Sequence, residues 1–152
     1  MNYKKIYSQA LKTILGGRKG VVLRQFTESA NGKDLLTFDG YGLFFIPKEL
    51  NIFAKHVGTP LSAHEVCKFI PKKDAVLTTL QPTSIVIGKR PCGRVLEKPD
   101  GSEYQYLLDD SYFGYFNRDA EIKVNLTAKT SVFYVFENGE LVCVVAPIRR
   151  KK

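Results

Sequence analysis

Residues 131–147 read Ser131-Val132-Phe133-Tyr134-Val135-Phe136-Glu137-Asn138-Gly139-Glu140-Leu141-Val142-Cys143-Val144-Val145-Ala146-Pro147. Two runs rich in Val, Phe and Tyr flank Asn138-Gly139, a pair that accepts positive φ at both positions and so closes a two-residue hairpin. This is the strongest turn signal in the chain. It makes the end of the molecule antiparallel sheet, and a further strand is expected just upstream over residues 121–126.

Working back from that hairpin, residues 109–116 predict a short helix, with Asp109-Asp110 as acids favoured at its N-terminus. Residues 94–98 and 103–107 flank Pro99-Asp100-Gly101-Ser102, a hairpin signal. Residues 75–80 and 84–87 read as strands, with Gln81-Pro82-Thr83 as a break between them.

The first half has a similar order. Tyr3, Ile6, Tyr7, Ala10, Leu11 and Ile14 recur at helical spacing, and Gly16-Gly17 supplies a stop. Lys4, Lys5, Ser8, Gln9 and Lys12 occupy the opposite, solvent-facing arc. Strands are expected over 21–26, 35–38 and 41–46, with turns at Asn31-Gly32 and Asp39-Gly40 and the third strand apolar on both faces. Pro47 as a first helical residue and Gly58 as a stop predict a short helix through Asn51 and Lys55. Ser62-Ala63-His64-Glu65 has capping-box spacing, although a strand through Val66 and Phe69 fits as well. Each half thus reads helix, strand, strand, turn, strand, a duplication of pattern and not of letters. The expectation is one α+β domain over residues 1–152, an internally duplicated helix-plus-antiparallel-sheet unit with a basic tail at 149–152.

The chain carries 23 Lys and Arg against 15 Asp and Glu, a net charge of +8. Residues 1–76 hold twelve basic and six acidic residues, and residues 77–152 hold eleven and nine. Since Arg149-Arg150-Lys151-Lys152 supplies four of those eleven, the positive field belongs to the first half and the tail. Such a field attracts polyanions, nucleic acid first and acidic proteins second. No apolar run nears the roughly 20 residues of a membrane-spanning helix, and the N-terminus opens an amphipathic helix instead of an apolar signal core. A cytoplasmic protein with no membrane partner is expected.

Catalytic signatures are missing where they would be sought. Cys67, Cys92 and Cys143 are too scattered for a disulfide framework or a zinc site, and His56 and His64 lack a second ligand pair. Gly16-Gly17-Arg18-Lys19-Gly20 follows a helix and opens a strand, the reverse of a phosphate loop. It reads as a cap and turn, with Arg18 and Lys19 as point charges for phosphate. Tyr104, Tyr106, Tyr112, Phe113, Tyr115 and Phe116 are interleaved with Glu103, Asp109 and Asp110, which favours core packing over base stacking. No enzyme, metal or cofactor is expected.

The order of these motifs resembles one family. Tyr106-Leu107-Leu108-Asp109, a short helix and then Ala120-Glu121-Ile122-Lys123-Val124 look like the last helix and strands of a bacterial DNA sliding-clamp domain. Val144-Val145-Ala146-Pro147-Ile148-Arg149 is similar to that family's closing strand, Val-Val-Met-Pro-Met-Arg. Phe38-Asp39-Gly40-Tyr41-Gly42-Leu43 resembles its Thr-Asp-Gly-His-Arg-Leu turn. The resemblance implies two βαβββ halves, no catalytic residues, helices turned toward duplex DNA, and a hydrophobic groove that holds replication or repair proteins. By position, Val145, Pro147, Ile148 and Arg149 would border that groove, and Lys4, Lys5 and Lys12 would meet DNA phosphates. Clamps have two or three such domains per chain, whereas this chain has room for one. A comparable ring would need about six copies as a homo-oligomer, and Asp109 and Asp110 put acids on the helix that should face DNA.

Three readings follow. One is a non-catalytic clamp-like module of a phage or mobile element that binds DNA, replication proteins or both. Another is a β-rich single-strand nucleic-acid-binding domain that uses Arg18, Lys19, Arg24, the tail, and Tyr41 or Tyr112 as stacking platforms. The third is a protein-interaction domain with no nucleic-acid role.

Overall fold

Leu35-Leu36 and Phe44-Phe45 are apolar pairs in which every member is buried. Neighbouring side chains on a strand point to opposite faces, so the sheet that carries them must be covered on both sides. The computed structural model of the chain, which describes residues 1–16, 21–29, 31–129 and 131–149, has this architecture. Helix α1 (Tyr3–Ile14) leads into a meander of β1 (Arg24–Phe26), β2 (Lys33–Thr37) and β3 (Gly42–Pro47). A two-residue strand β4 (Thr59–Pro60) and helix α2 (Ala63–Cys67) follow, then β5 (Thr78–Ile87), β6 (Gly93–Glu97) and β7 (Tyr106–Asp109). A 3-10 segment, Asp110–Gly114, precedes β8 (Glu121–Val124), β9 (Phe133–Glu137), β10 (Glu140–Val145) and β11 (Ile148–Arg149). The fold is therefore mixed α+β, and the described residues form two α-helices and an eleven-stranded sheet of order β11-β7-β6-β5-β8-β9-β10-β3-β2-β1-β4.

The hairpin that opened the sequence forms as expected. Asn138 and Gly139 take φ of 51° and 78°, and Glu140 pairs with Glu137 across the turn. At the centre of the sheet β10 runs antiparallel to β3, with Cys143 opposite Phe44, Val144 opposite Leu43 and Val145 opposite Gly42. Gly42 has a steric reason to be glycine, because a Cβ there would come within 2.5 Å of the Tyr112 hydroxyl.

One sheet face buries Phe44, Ile46, Phe133, Val135, Cys143 and Val145 beneath Ile6 and Ala10 of α1 and beneath Tyr112 and Tyr115. The Asn2 side chain accepts the Lys5 N–H at 3.1 Å and caps α1, and the Asn2 N–H donates to the Tyr115 carbonyl at 2.7 Å. The helix thereby lies against the segment after β7. Its apolar face is covered over the first turns only, since Leu11 and Ile14 stay partly exposed.

The opposite face buries Leu35, Leu43, Phe45, Tyr134 and Val144, with Val66 of α2 packed on them. Here the capping box resolves the helix-or-strand choice in favour of helix. Ser62 Oγ accepts the Glu65 N–H at 3.2 Å, and the Glu65 carboxylate accepts the Ser62 N–H at 2.9 Å.

Three local expectations change. Pro47 ends β3, and the helix expected through Asn51 and Lys55 shrinks to a 3-10 turn, Lys48–Leu50. Asn51 is extended because its side chain is drawn inward, donating to Asp34 at 2.9 Å and Gln25 at 3.1 Å. Residues 81–83 do not break the strand. β5 runs through them, with Pro82, which has no N–H to donate, at the point where register with β6 shifts. The helix expected at 109–116 is the short 3-10 segment, capped as anticipated by Asp109, whose carboxylate accepts the Ser111 N–H at 2.9 Å. Of the three thiols, Cys143 is buried, Cys92 half-buried and Cys67 exposed.

Candidate functional site

Strand alternation decides which closing-strand residues can meet a partner. Val145 has no exposed surface and packs in the core beneath α1, so its side chain borders no groove. Its neighbours Val144 and Ala146 project to the other face. There they line a recess of about 320 Å³ with Tyr41, Leu43, Val66 and Phe69. Ala146 N–H donates to the Tyr41 carbonyl at 2.8 Å, fixing the end of the closing strand to the turn between β2 and β3.

That turn is itself built around Asp39. Its carboxylate accepts the N–H groups of Tyr41 at 2.8 Å and Gly42 at 2.9 Å, and also the Tyr112 hydroxyl. Burial, then the charge of Asp39, raises the Tyr112 pKa far above its ordinary value, so Tyr112 remains a donor. The turn holds Tyr41 outward, 65% exposed. Tyr41 stands between the apolar groove and a second recess, and it lines both.

The far wall of the groove is α2. Arg24 on β1 pairs with Glu65 at 2.9 Å, and Lys68 lies at the rim. The Glu65 carboxyl is held down at about 2, first by the Ser62 N–H, then by Arg24. The groove therefore has an apolar floor and a basic edge whose one acid is already engaged.

The second recess is an open cleft of about 980 Å³ on the α1 side. Gln9, Lys12 and Thr13 of α1 form one wall, Lys89–Cys92 another, and Phe38, Pro147 and Ile148 supply apolar surface. Its acids are occupied: Asp39 by the turn, Asp109 by the Ser111 N–H, and Asp110 by Arg94 at 2.6 Å. Burial, then Asp39, pushes the Tyr115 pKa up to about 12, and burial raises the Cys143 thiol as well. Tyr112, Tyr115 and Glu65 thus shift away from neutral pH, where each keeps one protonation state.

The residues expected to meet nucleic acid are treated unequally. Lys4 and Lys12 are exposed on α1. Lys5 is not free: its ammonium donates to the Ser111 carbonyl at 3.3 Å and sits 4.6 Å from the centre of the Tyr115 ring. Arg18 and Lys19 lie outside the described residues, as do positions 150–152 of the tail. Val145 is in the core, Pro147 and Ile148 are half-buried in the cleft wall and Arg149 is exposed, so none of the four residues expected to border a partner groove lines the recess beside α2. Tyr112, proposed above as a stacking platform, is buried and cannot take that role. His56 and His64 are both exposed, and no cluster of three metal-ligating side chains occurs among the described residues.

The sequence reading missed Val144, Ala146, Lys89 and Arg90. The first two were legible in principle, from the alternation of side chains along the closing strand. The other two required knowing that the loop between β5 and β6 folds back beside α1.

Fold and surface together define an α+β protein with one large sheet, covered on both faces at β2, β3, β9 and β10, and two recesses meeting at an exposed tyrosine. No protein-family model matches the chain, and neither a curated protein nor a solved structure matches it. No helix among the described residues is long and apolar enough to cross a membrane.

Proposed function

We propose that this chain is a non-catalytic clamp-like module that docks replication or repair proteins through the groove beside Tyr41, with its α1 face on duplex DNA. The observation that carries the reading is the apolar groove where the closing strand meets the Asp39–Gly42 turn, floored by Leu43, Val66, Val144 and Ala146. These are two of the three segments whose sequences resemble the clamp family, and they lie side by side.

Internal duplication gains support from the order of elements. A helical segment followed by a three-stranded meander occurs twice, as α1 with β1–β3 and as residues 110–114 with β8–β10. The last strands of the two meanders, β3 and β10, pair antiparallel, which is what a two-fold repeat generates. The DNA half of the proposal rests on Lys4 and Lys12, because the second helical segment begins with Asp109 and Asp110.

The groove is tested by selection from a random peptide library. Peptides with one or two large apolar residues should be enriched, and an acidic flank should help beside Arg24 and Lys68. Phe69→Asp places a charge in the groove at a partly exposed position, so the fold should survive. Binding of the selected peptides should fall about 10- to 100-fold, the cost of burying an unpaired charge in an apolar contact. Failure to enrich any apolar motif, or binding untouched by Phe69→Asp, would remove the groove from the account.

A further inference from the structure

We infer that the cleft between α1 and residues 89–92 is a binding site for single-stranded nucleic acid, with phosphates on Lys12, Lys89 and Arg90 and an unpaired base on Tyr41. This deepens the proposed function and rests on its claim that the α1 face meets nucleic acid.

Three features select the ligand. The first is the state of the charges. Lys12, Lys89 and Arg90 are exposed at the cleft, and among the described residues none pairs with an acid. Arg94 offsets Asp110, while Asp39 and Asp109 keep their charge as their oxygens accept hydrogen bonds. Lys12, Lys89 and Arg90 then leave the cleft with a positive excess of one charge, carried on exposed side chains. The second is the exposed ring of Tyr41 at the mouth, on a turn that three hydrogen bonds to Asp39 fix in place. A flat ring beside free cations suits a base with its phosphates, since aromatic stacking and phosphate charge together bind single strands without sequence preference. The third is shape. A recess with an apolar wall of Phe38, Pro147 and Ile148 admits a splayed strand. In a duplex the base faces are already stacked on one another, and a duplex could use only the cations.

The test is fluorescence anisotropy with a labelled oligothymidylate of about ten nucleotides, across a range of salt. Three phosphate contacts on a single strand predict a log–log salt slope near −2. Tyr41→Ala should weaken binding by about 5- to 150-fold, the worth of one stacked base. Lys89→Glu with Arg90→Glu should reduce the slope to below about −1 in magnitude, leaving one contact. Both positions are exposed and unpaired, so the fold should be kept. Phe69→Asp, which alters the groove and not the cleft, should change nothing in this assay. Loss of oligonucleotide binding with duplex binding retained in the Lys89/Arg90 variant would separate the cleft from the duplex face. No oligonucleotide binding at low salt, or binding indifferent to Lys89 and Arg90, would overturn the inference even if duplex binding stands. Polyglutamate bound with the same dependence on Lys89 and Arg90, and displacing the oligonucleotide, would assign the cleft to an acidic peptide and overturn it as well.

Discussion

Phe44→Ala is expected to lower the free energy of unfolding by about 3–5 kcal/mol, the range for removing a fully buried phenylalanine. Phe44 has no exposed surface. Its ring stacks on Phe38 at 5.2 Å and on Tyr112 at 6.0 Å, and it meets the edge of Tyr115 at 5.2 Å. Each such pair adds about 0.5–1.5 kcal/mol beyond area burial. Phe44 also joins β3, the turn and the 3-10 segment, so the cavity left by alanine would have walls on three elements and could not easily collapse. Since a domain of this size has about 5–15 kcal/mol in all, the variant should unfold at much lower urea, with an unchanged m-value. A loss below about 1 kcal/mol would mean that the aromatic cluster is not the centre of the core.

Asp39→Ala should cost about 2–4 kcal/mol and also remove the peptide and oligonucleotide binding proposed above. The carboxylate accepts three hydrogen bonds, two from the turn backbone and one from the buried Tyr112 hydroxyl. Its loss strands that hydroxyl, and an unsatisfied buried donor alone costs about 1–3 kcal/mol. The turn would then no longer hold Tyr41 between groove and cleft. Asp39→Asn keeps an acceptor and should cost less, with Tyr41 still in place. The pH dependence has a definite sign. Tyr112 ionises near 10.0 when unfolded and well above that when buried, so its stabilising share is whole below pH 10 and is lost as pH rises further. Urea titrations at several alkaline pH values, with oligonucleotide and peptide binding in parallel, check both parts. Full binding in an Asp39→Ala protein that had lost stability would show that the turn does not position Tyr41.

What the sequence disclosed, and what it hid, follows the range of the interactions involved. The turns at Asn138-Gly139 and Asp39-Gly40 and the capping box at Ser62 are set by neighbours a few residues apart, and they could be read directly. Covering of both sheet faces was visible in Phe44-Phe45. Asn51 could not be placed, because its partners Gln25 and Asp34 lie 26 and 17 residues away. Lys5 seemed a free cation for the same reason: the Ser111 carbonyl that holds it is 106 residues distant. The resemblance pointed to the closing strand, but the residues it named lie elsewhere than the recess beside α2: Val145 is in the core, and Pro147 and Ile148 line the cleft. Alternation assigns Val144 and Ala146 to the groove and Val145 to the core.

The central claim, a clamp-like module on DNA, is tested most directly by its mass in solution with and without a short duplex, at low and at high salt. A duplex-bound species is expected at low salt and should disappear as salt rises. Lys4 and Lys12 should set a log–log slope near −2 per protomer, to be halved by Lys4→Glu. A larger assembly on DNA would extend the account to a ring. One monomer mass in all four conditions, with no bound duplex, would contradict it.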